Sequence, residues 1–157
     1  MGDLLVRLYD LPDMGDLVKN LSGGGIIIRR AMSFESRQVA KWVEDFAGER
    51  WAMQAEAAFY NSPISCYIAI KEDKILGFAL YDATCKNFFG PTAVDESYRG
   101  KGIGKALLLS ALQAMRNDGY AYAIIGGAGP VEYYTKALDA QVIDKSTPGI
   151  YANRLPV

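Results

Sequence analysis

One stretch of the chain combines residue types and spacing that could do chemistry: VDESYRGKGIGKALLLSAL, Val94 to Leu112. Arg99, Gly100, Lys101, Gly102, Ile103, Gly104 and Lys105 stand directly before an apolar run of helical period. Free backbone N–H groups at a helix start point outward and favour an anion. Glycines at alternating positions remove side chains that would hold a bulky diphosphate away from those amides. Arg99, with Lys101 or Lys105, adds positive charge beside them. Capping alone would ask for one glycine, so the stretch reads as a seat for a phosphate-bearing ligand.

Two common phosphate loops fail at named positions. A G-x-x-x-x-G-K-[ST] loop built on Gly104-Lys105 needs a glycine where Arg99 stands and a hydroxyl where Ala106 stands. A G-x-G-x-x-G loop needs a glycine at Lys105 or at Leu107, where close helix–strand packing is required. R-x-x-G-x-G remains, at Arg99, Gly102 and Gly104.

The whole chain bounds what else is open. Its 157 residues suit one domain, and with 50% apolar and 22% charged residues it reads as globular. A net charge of −1 gives no basic footprint for nucleic acid. No apolar run reaches the ~18 residues of a membrane span. The start MGDLLVRLYDLPD lacks the build of a signal peptide, so a cytoplasmic protein is expected. There is no histidine, which excludes the usual Ser-His-Asp and Cys-His nucleophile systems and histidine zinc sites. Cys66 and Cys85 form no metal-spaced pair and read as small core or edge residues, so no metal is expected. Proton transfer near neutral pH falls to carboxylates, Tyr, Lys, Cys, water or backbone groups.

The elements that must position the loop follow from periodicity. Residues 1–24 read as an accessory segment: a short strand with Leu4, Val6 and Leu8, then a helix capped by Asp13, and either an added element or a partner-exchanged arm. Residues 25–157 read as the main domain. GIIIRR is a strand. Ser33 caps a helix with Val39, Trp42, Val43 and Phe46 on one face, and Gly48 separates it from a second helix. ISCYIAI and ILGFALYDA form a hairpin across Lys71–Lys74. NFFGPTAV is the next strand, with a bulge or sheet opening near Pro91, which has no N–H to donate. A helix runs from about Gly102 to Asp118, with Ile103, Leu107, Leu108, Ala111, Leu112 and Met115 as its buried stripe. YAYAII closes a βαβ unit with parallel strands. VEYYTKAL is a short helix, and AQVID…GIYANRL supplies one or two closing strands.

With its lead-in, AVDESYRGKGIGKALL resembles the GNAT superfamily of N-acetyltransferases, whose R/Q-x-x-G-x-G/A motif grips the pyrophosphate of acetyl-CoA. The likeness covers residues 25–153 in element order. It implies an α/β fold with a central mixed sheet, splayed parallel strands around the βαβ phosphate-loop unit, and helices on both faces. It implies acetyl transfer from acetyl-CoA to a primary amine, by direct attack on the thioester while both ligands are bound. The phosphate cradle maps to Arg99–Lys105, with the amides rather than the arginine side chain as the main contacts. Ala93 and Val94 map to the splayed strand that pairs with the pantetheine arm. EYYTKALDA resembles the family's F-Y-x-K pattern, placing Tyr133 at an aromatic core position and Tyr134 where a phenol protonates the departing thiolate.

Two departures bear on the chemistry. The family's asparagine seven residues before that tyrosine is Gly127 here, and its glutamate on the splayed strand has no counterpart in NFFGPTAV. Asp82, Glu132 and Glu56 are the remaining candidates for a base. The helices after GIIIRR carry Glu44, Asp45, Glu49 and Glu56 among aromatic residues, which would suit a small cationic amine or else form an ordinary solvated surface. A peptide or protein amine stays open as acceptor, as does a homodimer. A non-catalytic acyl-CoA-binding sensor is the alternative that the two departures keep in play.

Overall fold

The computed structural model describes residues 2–156. Its strands are β1 (Leu4–Arg7), β2 (Ile26–Arg30), β3 (Cys66–Lys71), β4 (Lys74–Tyr81), β5 (Phe88–Val94), β6 (Tyr122–Ile125) and β7 (Gln141–Val142). Its helices are α1 (Leu17–Gly23), α2 (Ser36–Ala47), α3 (Glu49–Phe59), α4 (Ile103–Asn117) and α5 (Val131–Leu138). The strands join in one mixed sheet of order β2-β3-β4-β5-β6-β1-β7. All its pairs are antiparallel except β5 with β6, as the βαβ reading requires.

Strand alternation splits the core into two layers. On one face Ala69, Leu76 and Ala79 pack with α4, and Leu4, Val6 and Leu8 extend that layer beneath α5. On the other face Ile68, Phe78 and Leu80 pack with Val39 and Val43 of α2 and Ala55 and Ala58 of α3. The small residues of α3 let it lie close, and Trp42 and Trp51 both turn their rings edge-on to Phe78. The predicted stripe of α4 is buried throughout. Ala106, Leu109 and Ala114 are buried as well, so α4 is enclosed over most of its girth.

Three local expectations resolve differently. Asp13 caps no helix; its Oδ1 accepts the Gly15 amide at 2.9 Å in a turn before α1. Ser33 opens a short 3-10 turn, and α2 starts at Ser36. GIYANRL is not a strand, because Gly149–Tyr151 is a 3-10 turn.

The segment expected as accessory contributes β1 to the sheet interior, between β6 and β7. Asp3 fastens it there. This residue is 7% exposed. Its Oδ1 accepts the Gly127 amide at 2.9 Å and its own amide donates to Ser146 Oγ at 2.8 Å. Its carbonyl accepts the Ile143 amide at 2.8 Å. Asp3→Ala would leave the Gly127 amide without its acceptor. It is expected to lower stability by about 1–3 kcal/mol, seen as a reduced urea midpoint at unchanged m value, with Asp3→Asn recovering most of the loss.

Candidate functional site

The glycine-rich stretch folds as an open ring of amides. Asp95 Oδ1 accepts the Ser97 amide at 2.8 Å, starting a short turn that delivers Arg99 to the mouth of α4. Gly102 caps α4 in the left-handed region, with φ of 88°. The first N–H of α4 to find an acceptor is that of Ala106, which donates to Gly102 O at 3.0 Å. Among the described residues the amides of Gly100 to Lys105 therefore have no acceptor, and they gather at the positive end of a fifteen-residue helix. Arg99 Nε donates to Val94 O at 3.2 Å, so this side chain braces the turn.

A cleft of ≈ 610 Å³ lies over these amides. Ala93, Val94, Arg99, Gly100, Gly102, Ile103, Gly104 and Lys105 line it, as do Tyr133 and Tyr134; Lys101 stands outside. Leu108, Tyr98 and Ile103 make much of the wall apolar. The site therefore combines an anion seat with a greasy channel.

The channel exists because β5 leaves β6. Their parallel pairing is confined to Phe88 with Ile124 and Phe89 with Ile125. Beyond it, Gly90 and Pro91 both stand opposite Leu80, a bulge between the pairs Tyr81–Phe89 and Ala79–Thr92. β5 then continues along β4 alone. The Asp95 amide donates to Leu76 O at 2.7 Å. Bonded and non-bonded positions alternate in an antiparallel pair, so Ala93, opposite Phe78, also turns its backbone to β4. Thr92 and Val94 turn theirs toward the gap. The strand thus offers free backbone groups at Thr92 and the free N–H of Val94, whose carbonyl already accepts from Arg99. Ala93, expected for that role, lines the cleft with its backbone engaged elsewhere.

A second cleft of ≈ 750 Å³ enters from the α3 side and is lined by Arg50, Trp51, Gln54, Tyr151 and Arg154 among others. It shares Thr92, Pro130 and Tyr134 with the first. The two clefts come from opposite faces of the sheet and meet at the gap. Gly126 makes room there: a Cβ on it would lie 2.7 Å from the Phe88 ring and 2.9 Å from the Tyr151 hydroxyl.

The two tyrosines of α5 exchange their expected burial. Tyr133 is 43% exposed, whereas Tyr134 is 7% exposed with its ring in the core. Among the described residues the Tyr134 hydroxyl has no hydrogen-bond partner, and no polar side-chain atom is both fully buried and unpartnered, so this hydroxyl opens into the cleft space. Burial, reinforced by Tyr133, pushes its pKa up to about 12. The phenol is neutral and a donor at any ordinary pH.

The acidic candidates are elsewhere. Asp82 is occupied by the Asn87 amide at 2.8 Å and the Tyr120 hydroxyl at 3.0 Å. Glu56 and Glu132 are exposed, and no carboxylate lines either cleft among the described residues. Gly127, at the asparagine position, spends its amide on Asp3. Burial raises the Cys66 thiol to about 12 and also raises Cys85, with Asp3 and Asp82 adding to the latter, so neither supplies a thiolate. Trp51 is one of the aromatic residues expected on the acceptor-side helices and does line the second cleft, whereas Thr92, Arg50, Tyr151 and Arg154 do not stand out in the sequence. Only Thr92 had a signal there, through the odd–even parity of its strand.

The acetyltransferase (GNAT) family model matches residues 36–137. No curated protein matches the chain significantly. Among solved structures, the GCN5-related glucosamine N-acetyltransferase region of a fungal multi-domain β-N-acetylglucosaminidase superposes with a TM-score of 0.71 at 11% identity, over 90% of this chain and 19% of that one. A GCN5-related N-acetyltransferase from Sphaerobacter thermophilus gives 0.69 at 21% identity, over 90% and 48%. An aminoglycoside N-acetyltransferase in complex with CoA gives 0.53 at 16% identity, over 71% and 82%. These structures share the fold, and the chain spans less than half the length of the first two.

Gly102 and Gly104 separate folding from binding. A Cβ on Gly102 would meet Leu17 Cδ1 at 2.7 Å at a positive φ, whereas one on Gly104 would meet only Val94 at 3.6 Å. Gly102→Ala is expected to cost about 1–2 kcal/mol of stability. Gly104→Ala is expected to hold or raise stability by up to about 1 kcal/mol. Both should weaken CoA binding about tenfold by calorimetry, the loss of roughly one charge-assisted hydrogen bond.

Proposed function

Since the chain belongs to the acetyltransferase (GNAT) family, we propose that it moves an acetyl group from acetyl-CoA to a primary amine by direct transfer. The observation that carries this is the meeting of the two clefts at Thr92, Pro130 and Tyr134, one of them built on a ring of free amides. The residues present fit the donor. The amides of Gly100 to Lys105 would hold its diphosphate, and the apolar channel beside β5 would take its arm. The free backbone groups of Thr92 and the Val94 N–H would pair with that arm.

Bound there, acetyl-CoA supplies an activated acyl carbon. The protein does the rest by placement and proton supply. The second cleft holds the amine against the gap. A new N–C bond replaces the thioester C–S bond. The amine's proton leaves to solvent, because no carboxylate lines the cleft among the described residues. Tyr134 gives its phenolic proton to the sulfur and recovers one from water. Neither cysteine takes part. The missing carboxylate also supports a second reading, an acyl-CoA-binding sensor that turns nothing over.

Melting-point shifts separate these readings from a nucleotide binder: acetyl-CoA and CoA should stabilise the protein, and ATP and NAD should not. Thiol release over a panel of amines then separates enzyme from sensor. Tyr134→Phe is expected to lower kcat by roughly 10² while leaving the KM for acetyl-CoA nearly unchanged. Undiminished turnover in that variant would remove Tyr134 from the chemistry. With the phenol held up at about 12, kcat/KM should climb as the acceptor amine loses its proton. No descending limb from Tyr134 should appear below about pH 10.

A further inference from the structure

The cleft on the α3 side has a sign. Its charged lining residues are Arg50 and Arg154, and no carboxylate joins them among the described residues. Neither guanidinium has an ion-pair or hydrogen-bond partner among those residues. Arg154, an exposed residue, stands over the Tyr151 ring at 5.9 Å beside the cleft wall. Arg50 sits in the first turn of α3, where the amides of Arg50 and Trp51 also lack acceptors, since the first bonded one is Ala52 to Gly48 O at 3.2 Å. A helix start adds positive potential to that of the side chain.

The acids of α2 and α3 stay out of the cleft lining. Glu49 is exposed and outside the cleft lining, as are Glu44, Asp45 and Glu56. Gln54 stands one turn past Arg50 on the same face, while Glu56 lies about 200° round the helix from Gln54. The same cleft takes in Thr92 and Tyr134, which it shares with the first, and Trp51, Phe88 and Tyr151 supply aromatic wall.

We propose that this cleft selects acceptor amines that carry an anionic group, a carboxylate or a phosphate, on an apolar or aromatic body. The inference rests on the acetyl-transfer reading and gives it a substrate class. The anion is held by Arg50 and Arg154, the body lies against the aromatic wall, and the amine reaches the gap. A small polycationic amine meets two unpaired guanidiniums instead of acids and is excluded by like charge.

The test uses the full chain saturated with acetyl-CoA and compares matched amines by thiol release. Phenylalanine is set against 2-phenylethylamine, O-phosphoethanolamine against ethanolamine, and spermidine serves as the cationic arm. The anionic member of at least one pair should show a kcat/KM at least about tenfold higher, the worth of one charge-assisted contact. The responding pair tells carboxylate from phosphate. The double variant Arg50→Ala, Arg154→Ala should erase that preference with the KM for acetyl-CoA unchanged. Equal use within both pairs, a preference for spermidine, or a preference that survives the double substitution would overturn the proposal. If acetyl-CoA raises the melting point but no amine releases thiol, the transfer reading fails by itself. Calorimetry on CoA-loaded protein then decides the cleft: N-acetylphenylalanine should bind about tenfold tighter than N-acetyl-2-phenylethylamine, and equal affinity would overturn the proposal.

Discussion

β5 and β6 hold each other at only two residue pairs, and everything useful in this molecule follows from where that contact stops. A parallel ladder needs evenly spaced donors and acceptors on both strands. Pro91 offers no donor, and the extra residue at Gly90-Pro91 bends β5 away. The strand stays bonded to β4, so the sheet is not weakened as a whole. The gap leaves the backbone groups of Thr92 and the N–H of Val94 facing open space. A buried peptide group without a partner costs about 1–3 kcal/mol, so such groups persist only where water or a ligand can meet them. The missing pairs are thus a binding feature of the fold.

The helix that follows converts the gap into a directed site. α4 begins where β5 has just separated, and its burial over most of its girth fixes its axis against the sheet. Its uncapped N-terminus cannot swing away from the gap. Gly102 takes a left-handed φ in contact range of Leu17, so the segment before β2 also bears on the cradle. α5 closes the other wall, with the Tyr134 ring buried beneath and its hydroxyl free above. Orientation here comes from packed apolar side chains, and the polar groups are left free to bind.

What the sequence made legible was local. The spacing of Arg99, Gly102 and Gly104 carries its own meaning, because helix-start amides and glycine conformation involve only near neighbours. Pro91 foretold the bulge for the same reason. The place of β1 was not legible, since it depends on Asp3 meeting Gly127 and Ile143, contacts between the two ends of the chain. The roles of Tyr133 and Tyr134 depend on the phase of an eight-residue helix, and one residue of phase exchanges inside for outside. Arg154 reaches the site through an irregular tail with no periodicity to read. The acids of α2 and α3 were visible as residues, but which face they took was a matter of packing.

That no carboxylate lines either cleft among the described residues looks at first like an obstacle to the proposed amine chemistry. An amine of pKa near 10 is protonated at pH 7, and freeing it costs about 1.4 kcal/mol per pH unit. A base would lower the barrier by accepting the proton in place. On the transfer reading proposed above, the second cleft acts on the equilibrium instead. Removing an ammonium from water disfavours its charged form, and two guanidiniums lining the same space disfavour it further. Both effects push the amine toward its neutral, nucleophilic form before it reaches the thioester. An acceptor's own anion takes up part of that positive field at the arginines. Helix starts, guanidiniums and a neutral phenol then form one consistent set, in which the charged and titratable groups lining the two clefts among the described residues are donors. Such a site needs no carboxylate base of its own for the proposed acyl transfer, provided that the amine can shed its proton to water on the way in.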